Sequence, residues 1–252
     1  MSAPVTDPFA RLRRLTQARI GLERAGDGLA LKPMLEFQLA HARARDAVHR
    51  PLDVAAVSAA LSAPPIVVAS AAPSRADYLQ RPDLGRRLRD ADRDRLPEGT
   101  ADVALVLADG LSSKAVETHG AAMIAALVPR LAGLGLAPVV IATQARVAIG
   151  DDIGAALGAR LVAVLIGERP GLSSADSLGL YLTFAPKPGR RDSERNCISN
   201  IRPPEGLGYD AAADLAAFLI REALRRRLSG IELKDTRADV LPGQAAAPAI
   251  EG

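Results

Sequence analysis

Apolar and polar positions along this chain change period near residue 100. Upstream, Leu12, Leu15, Ala18 and Leu22 recur at helical spacing and predict a helix from Phe9 to Ala25, ended by Gly26-Asp27-Gly28. Pro33 sits at a favourable first-turn position and opens a second predicted helix that runs toward His49, with Pro51 beyond it. A third, short helix is predicted from Val54 to Leu61, and Ile66 to Ala69 reads as a short strand. Charges of both signs alternate over residues 75–95, which predicts a solvated, salt-bridged helix starting after Pro82. A sharper alternative puts Arg86 and Arg87 at a subunit contact.

Downstream, continuous apolar runs alternate with helical stretches. Val103 to Ala108 reads as a strand, Asp109 to Ser113 as a turn, and Ser113 to Leu131 as a helix. Val139 to Ala142 is the next strand and Asp151 to Leu157 a short helix. Leu161 to Ile166 and Leu180 to Phe184 add two strands, and Asn196 to Arg202 reads as a polar-rich loop. A long helix from Asp210 to about Leu228 follows, with Leu215, Phe218, Leu219 and Leu224 on its buried side. The predicted fold class is α/β: a mostly parallel, Rossmann-like sheet flanked by helices, with an N-terminal helical arm. Residues 1–100 form the arm and a connecting region, 101–235 the α/β domain, and 236–252 a mobile tail rich in Ala, Pro and Gly.

Composition narrows the class. A chain of 252 residues can bury a substantial core, but only 3% is aromatic and Trp is absent, so that core rests on Ala, Leu, Val and Ile. No apolar run approaches the ~18 residues of a membrane span, and the Arg-rich start lacks a signal-peptide core. One cysteine excludes an internal disulfide and fits a reducing compartment, so the expected location is the cytoplasm. The pI is near 9.3, yet acidic residues are interleaved with the arginines and stacking aromatics are scarce, which argues against nucleic acid.

Candidate chemistry lies in loops at predicted strand ends. Asp109-Gly110-Leu111-Ser112-Ser113-Lys114 feeds a helix start and invites a phosphate-binding reading, although neither the GxxxxGK[ST] nor the GxGxxG spacing is present. Two alternatives stand there: simple capping by Ser112 or Ser113, or a free-standing nucleotide-binding protein or enzyme using Asp109, Ser112 and Ser113. The histidines His41, His49 and His119 have no close metal spacing, so no metal ligand is assigned. Cys197, without a nearby His or second Cys, reads as a small apolar group. Glu168, in the turn Gly167-Glu168-Arg169-Pro170-Gly171, has a salt bridge to Arg169 or another arginine as its plain reading.

Six stretches carry a resemblance. GERPGL, SLGLYLTFAPK and RNCISNIRP are preceded by RAGDGLALKPMLEFQLAHARARDAV (24–48), YLQRPDLGRRL (78–88) and ADGLSSKAV (108–116). In this order they resemble the light (small) subunit of ethanolamine ammonia-lyase, over roughly residues 9 to 233. The resemblance implies a subunit of a carbon–nitrogen lyase that converts ethanolamine to acetaldehyde and ammonia with adenosylcobalamin, this chain alone being inactive. It implies a hetero-oligomer with a catalytic TIM-barrel large subunit, the corrin lying at the interface, and no nucleic-acid or membrane partner. Val147, Glu168 and Cys197 match the family's cofactor-contacting positions, and His41 matches its helical histidine. The missing Asp-x-His-x-x-Gly pattern fits a cobalamin that keeps its own benzimidazole base on cobalt. A bacterial microcompartment is the second location implied, though only about eight residues precede Phe9 where such relatives carry a long extension.

Overall fold

The computed structural model describes residues 7–16 and 18–237. Helix α1 (Ala10–Arg13) leads to a hairpin of β1 (Arg24–Ala25) and β2 (Gly28–Leu29), and then to helices α2 (Leu31–His49) and α3 (Val54–Ala59). Strand β3 (Ile66–Ala69) and helix α4 (Arg75–Gln80) precede β4 (Ala101–Ala108). One nearly continuous helix follows as α5 (Ser113–Ala115), a π-helical turn (Val116–Gly120) and α6 (Ala121–Arg130). Strand β5 (Val140–Thr143), helix α7 (Ile149–Ala156), strands β6 (Ala159–Gly167), β7 (Leu178–Phe184) and β8 (Arg195–Ile201), and helix α8 (Tyr209–Arg226) complete the chain.

Six strands form one sheet in the order β3-β5-β4-β6-β7-β8. The first four run parallel, and β7 and β8 are added antiparallel at one edge. Strand β4 is apolar on both faces because both are covered, as expected of a parallel strand between helical layers. Leu105, Leu107 and Leu165 pack with Leu127 of α6 and Ile220 of α8 on one face. Val106, Val164 and Ile166 pack with Ile149 and Ile153 of α7 and with Leu88 on the other. Parallel pairing brings the carboxyl ends of β4, β5 and β6 to one side of the molecule, and that side carries the site.

Three predicted elements differ in the structure. The helix from Phe9 to Ala25 is reduced to α1, because Gly21 turns the chain at a left-handed φ of 58° and Arg13 holds the carbonyls of Ile20 and Gly21. Leu12 and Leu15 stay exposed, and a short helix that buries no face gains little. In place of the solvated helix after Pro82, the chain makes two 3-10 turns, Leu84–Arg86 and Asp90–Arg95. Leu88 bridges to Ser70, and buried Asp92 accepts from the Ala69 amide at 2.8 Å, so this segment covers the open edge at β3. The polar loop from Asn196 is strand β8: Ile198 and Ile201 are buried while Cys197, Ser199 and Asn200 face outward. No helix among the described residues is long and apolar enough to cross a membrane.

Candidate functional site

The turn after β4 and the turn after β6 lie backbone against backbone. Gly110 has a φ of +57°, and a side-chain carbon there would strike Gly167 and Ile166; one on Gly167 would strike the Ser112 carbonyl. The Leu111 amide donates to the Gly167 carbonyl at 3.0 Å. Asp109, Ser112 and Ser113 are all buried. Ser112 Oγ donates to the Ala175 carbonyl at 2.7 Å and accepts from the Ala115 amide at 3.3 Å, while Ser113 Oγ donates to the Arg50 carbonyl at 2.9 Å. The two serine hydroxyls are therefore spent within the fold, and Ser112 caps the helix that follows. The free-standing nucleotide-binding alternative thereby loses the serine hydroxyls it relied on.

Two adjoining hollows share Arg146, Val147 and Tyr181. One, of about 400 Å³, is also lined by Tyr78, Leu111, Glu168 and Arg169. The other, of about 340 Å³, is also lined by Arg86, Asp192, Arg195 and Cys197. Val147, Glu168 and Cys197 are thus brought to one side of the sheet around a single tyrosine, from three different elements. A larger hollow of about 700 Å³, between Leu96–Gly99 and Ala155–Gly158, lies at the opposite, amino end of β4 and β6 and contains none of the three. Its place away from the strands' carboxyl ends makes it the weaker candidate.

Glu168 does not take the salt bridge to Arg169, which is exposed and not among its partners. Ser177 Oγ and the Asn200 amide donate to Oε2, at 2.5 and 3.2 Å, and Ser199 Oγ donates to Oε1 at 2.5 Å. The carboxylate ties the end of β6 to both β7 and β8. A carboxylate offers about four acceptor sites, and with these three filled one remains, on Oε1. Half-buried Glu168 can therefore hold the sheet edge and still accept one hydrogen bond from a ligand.

Tyr181 and Cys197 are partners across β7 and β8. Cys197 is exposed, yet surrounding protein strips enough water from its sulfur to push the thiol up from its usual value. A hydrogen bond with Tyr181 opposes this and the Glu168 charge adds to it. A thiol held protonated is a contact group rather than a nucleophile. Beneath it Arg195 is fixed by a bidentate pair with Asp151, at 2.8 and 2.7 Å, and by Thr183 Oγ1 at 2.8 Å, both charged side chains being 2% exposed. Burial pushes the Asp151 carboxyl up, and Arg195 opposes that shift. The pair locks α7, and with it the loop bearing Val147, to strand β8.

Three residues of the site escaped the reading of the sequence: Tyr78, Arg146 and Tyr181. The Tyr78 ring is fully buried between two guanidinium groups, Arg75 at 4.7 Å and Arg146 at 4.6 Å from its centroid. Burial pushes its phenol up, with Arg146 opposing. The signal available was scarcity: the chain has three tyrosines and no Trp, so each buried tyrosine must place a hydroxyl with a partner. His41 is exposed on α2, stacked against Phe37 with ring centroids 6.5 Å apart, and is not part of this site.

Comparison with known proteins agrees with the motifs. The family model described as ethanolamine ammonia-lyase light chain matches residues 6–234. The ethanolamine ammonia-lyase small subunit of Rhodococcus erythropolis is 51% identical over 245 residues, 95% of either chain. That of Rhodopseudomonas palustris (strain BisA53) is 55% identical over 242 residues, 92% of either chain. That of Azotobacter vinelandii is 53% identical over 245 residues, covering 92% of this chain and 90% of the relative. A match across nearly the whole chain at this identity places it among ammonia-lyase subunits: it belongs to the ethanolamine ammonia-lyase light-chain family.

Proposed function

We propose that this chain binds one side of adenosylcobalamin through Val147, Glu168 and Cys197, at its interface with the large subunit of ethanolamine ammonia-lyase. The observation that carries the reading is the convergence of these residues on two hollows at the carboxyl end of the sheet. Both hollows are open and neither could enclose the whole cofactor, which suits a surface that covers part of it while another chain covers the rest. The donor set suits it too. Glu168 has one acceptor site left for an amide arm of the corrin, and Tyr181 and Val147 offer apolar contact. Arg146 brings a buried Nε with no partner among the described residues. When bound, adenosylcobalamin supplies a homolysable cobalt–carbon bond, the source of the radical chemistry that converts ethanolamine to acetaldehyde and ammonia.

On this reading the chain's residues bind, orient and shield, and none of them is a catalytic residue. Glu168 holds β6, β7 and β8 in register and accepts from the ligand; Cys197 packs against it as a neutral thiol; Val147 gives an apolar or main-chain contact. The apolar side chains left exposed on the N-terminal arm, among them Leu31, Leu35 and Phe37, form the surface assigned to the large subunit.

The test is an adenosylcobalamin titration of the purified complex of both subunits. Glu168→Gln and Cys197→Ala should each weaken binding by about two- to tenfold, the value of one hydrogen bond or contact. Unchanged affinity in both variants would make the chain an assembly module without cofactor contact and overturn the reading.

A further inference from the structure

Val147 belongs to a loop that cannot hold itself. Gln144, at the end of β5, has a φ of 55°, a left-handed conformation that a side-chain-bearing residue adopts only when its surroundings insist. What insists is Asp109, from the next strand. Its carboxylate, 1% exposed, accepts from the Ala145 amide through Oδ1 at 2.8 Å and from the Gln144 amide through Oδ2 at 2.9 Å. Arg75 Nη1 donates to the same Oδ2 at 3.0 Å, and Arg75 Nε donates to the Val48 carbonyl at 2.8 Å, near the end of α2.

The other side of the loop is held from α4. Tyr78, one helical turn beyond Arg75, donates from its hydroxyl to the Ala145 carbonyl at 3.1 Å, and its ring lies against Arg146. The Arg146 amide is tied to the Gly85 carbonyl at 2.8 Å. Asp109 thus takes the loop's donors, Tyr78 its acceptor, and Arg75 touches both. At 1% exposure the carboxylate accepts from three donors and lines neither hollow, so its contacts lie within the fold.

We propose that Asp109, neutralised by Arg75, is the positioning residue that sets the Gln144–Val147 loop for ligand binding, and so links the end of the N-terminal arm to the cofactor site. This rests on the proposed cobalamin contact at Val147, and the experiment separates the two. Asp109→Asn keeps the size but leaves Arg75 as an unpaired buried charge. The double variant Asp109→Asn with Arg75→Gln removes both charges, and serves where the single one fails to fold. Either leaves one of the two loop amides without its acceptor.

Each variant is prepared as the complex with the large subunit, and backbone hydrogen exchange is first read without cofactor. Exchange at residues 144–147 should accelerate about tenfold or more while the β4 and β6 cores stay protected. The same complexes should then bind adenosylcobalamin about tenfold more weakly. Wild-type protection of the loop in the variants would overturn the proposal. So would a loosened loop with unchanged cobalamin affinity, provided Glu168→Gln still weakens binding; the cofactor reading would then survive alone. Unchanged affinity in all of them, with Glu168→Gln and Cys197→Ala unchanged as well, would take the cofactor reading down and the positioning role with it.

Discussion

Strand β4 and helix α2 are built on opposite terms. Every residue of β4 from Val103 to Ala108 is buried, and the turn that follows spends its polar groups on neighbouring backbone. Helix α2 is longer, at 19 residues, yet buries only Pro33 and Ala47. Leu31, Leu35 and Leu39 stand 66%, 52% and 51% exposed. Its fixed points are at one end: Arg75 Nε on the Val48 carbonyl, Ser113 Oγ on the Arg50 carbonyl, and Arg50 paired to Glu117 at 2.9 Å. Amphipathic helices in a finished fold turn their apolar stripe to the core. Here the sheet is stabilised from within, while the arm keeps its apolar residues outside, which is the division expected of a subunit whose arm packs against another chain. Substitutions should therefore divide the same way.

The largest loss belongs to the self-contained half. Arg195→Ala strands Asp151 as a buried charge and frees Thr183 and the Arg190 carbonyl from their donor. Breaking such a pair on one side costs about 3–5 kcal/mol. A urea titration of the isolated chain should show it as a midpoint lowered at unchanged slope. Replacing both partners by apolar residues of similar size should recover most of the loss, because the penalty comes from the orphaned charge. A loss under about 1 kcal/mol would mean that the pair is hydrated and that the site's foundation is looser than the geometry implies.

How far the sequence could be read follows the same division. The central strands were plain, because a run apolar on both faces, such as Val103–Ala108 or Leu161–Ile166, has few other uses. Strand β8 was not, since its outward residues Cys197, Ser199 and Asn200 are polar and its buried residues, Arg195, Ile198 and Ile201, include a charged one. Its pairing is set by β7, a tertiary fact. The helix from Phe9 failed for the converse reason: the spacing was helical, but no face among the described residues covers Leu12 and Leu15. Charge alternation over 75–95 concealed Asp92 and Leu88, which serve the edge at β3. At the site, no local pattern joins Val147, Glu168 and Cys197; they came from the family resemblance, and only the folded sheet shows that Tyr181 stands among them. Asp109 stands at a predicted strand end, but the partners that define its role lie 34 to 36 residues away in the chain.

An intermediate effect depends on pH. His119 lies in the π-helical turn at 3% exposure, its Nδ1 2.7 Å from the Tyr209 hydroxyl. Burial pushes its pKa down; Asp176 opposes this, while Arg202 and Lys114 add to it. The folded state therefore favours neutral imidazole. The unfolded chain takes up a proton near its ordinary pKa of about 6.5 and binds more protons than the folded chain just below it. Stability from this residue is complete above about pH 6.5 and is lost as pH falls from there toward the lowered folded value. In His119→Gln that slope should vanish, so the gap in urea midpoint between wild type and variant should narrow from about pH 7.5 to about pH 5.5. Parallel pH profiles would show that His119 is hydrated enough to titrate normally, and would remove it from the self-contained half.

The smallest effect on the chain itself is expected in the arm, and it decides the comparison. Leu35 projects from α2 with half its surface in water, so Leu35→Ser removes little buried area and should change the stability of the isolated chain by no more than about 0.5 kcal/mol. Were the arm part of the core, the same change would resemble a large-to-small core substitution and cost about 2–5 kcal/mol. The two expectations differ enough for one urea curve to separate them. A second measurement gives the result its meaning: co-purification of Leu35→Ser with the large subunit, titrated by analytical ultracentrifugation. A chain of unaltered stability that assembles poorly assigns the arm's apolar residues to the partner. A chain that assembles as well as wild type shows that Leu35 lies outside the contact, and the remaining exposed side chains, Leu31 and Phe37 first, must then carry it or the surface is misassigned.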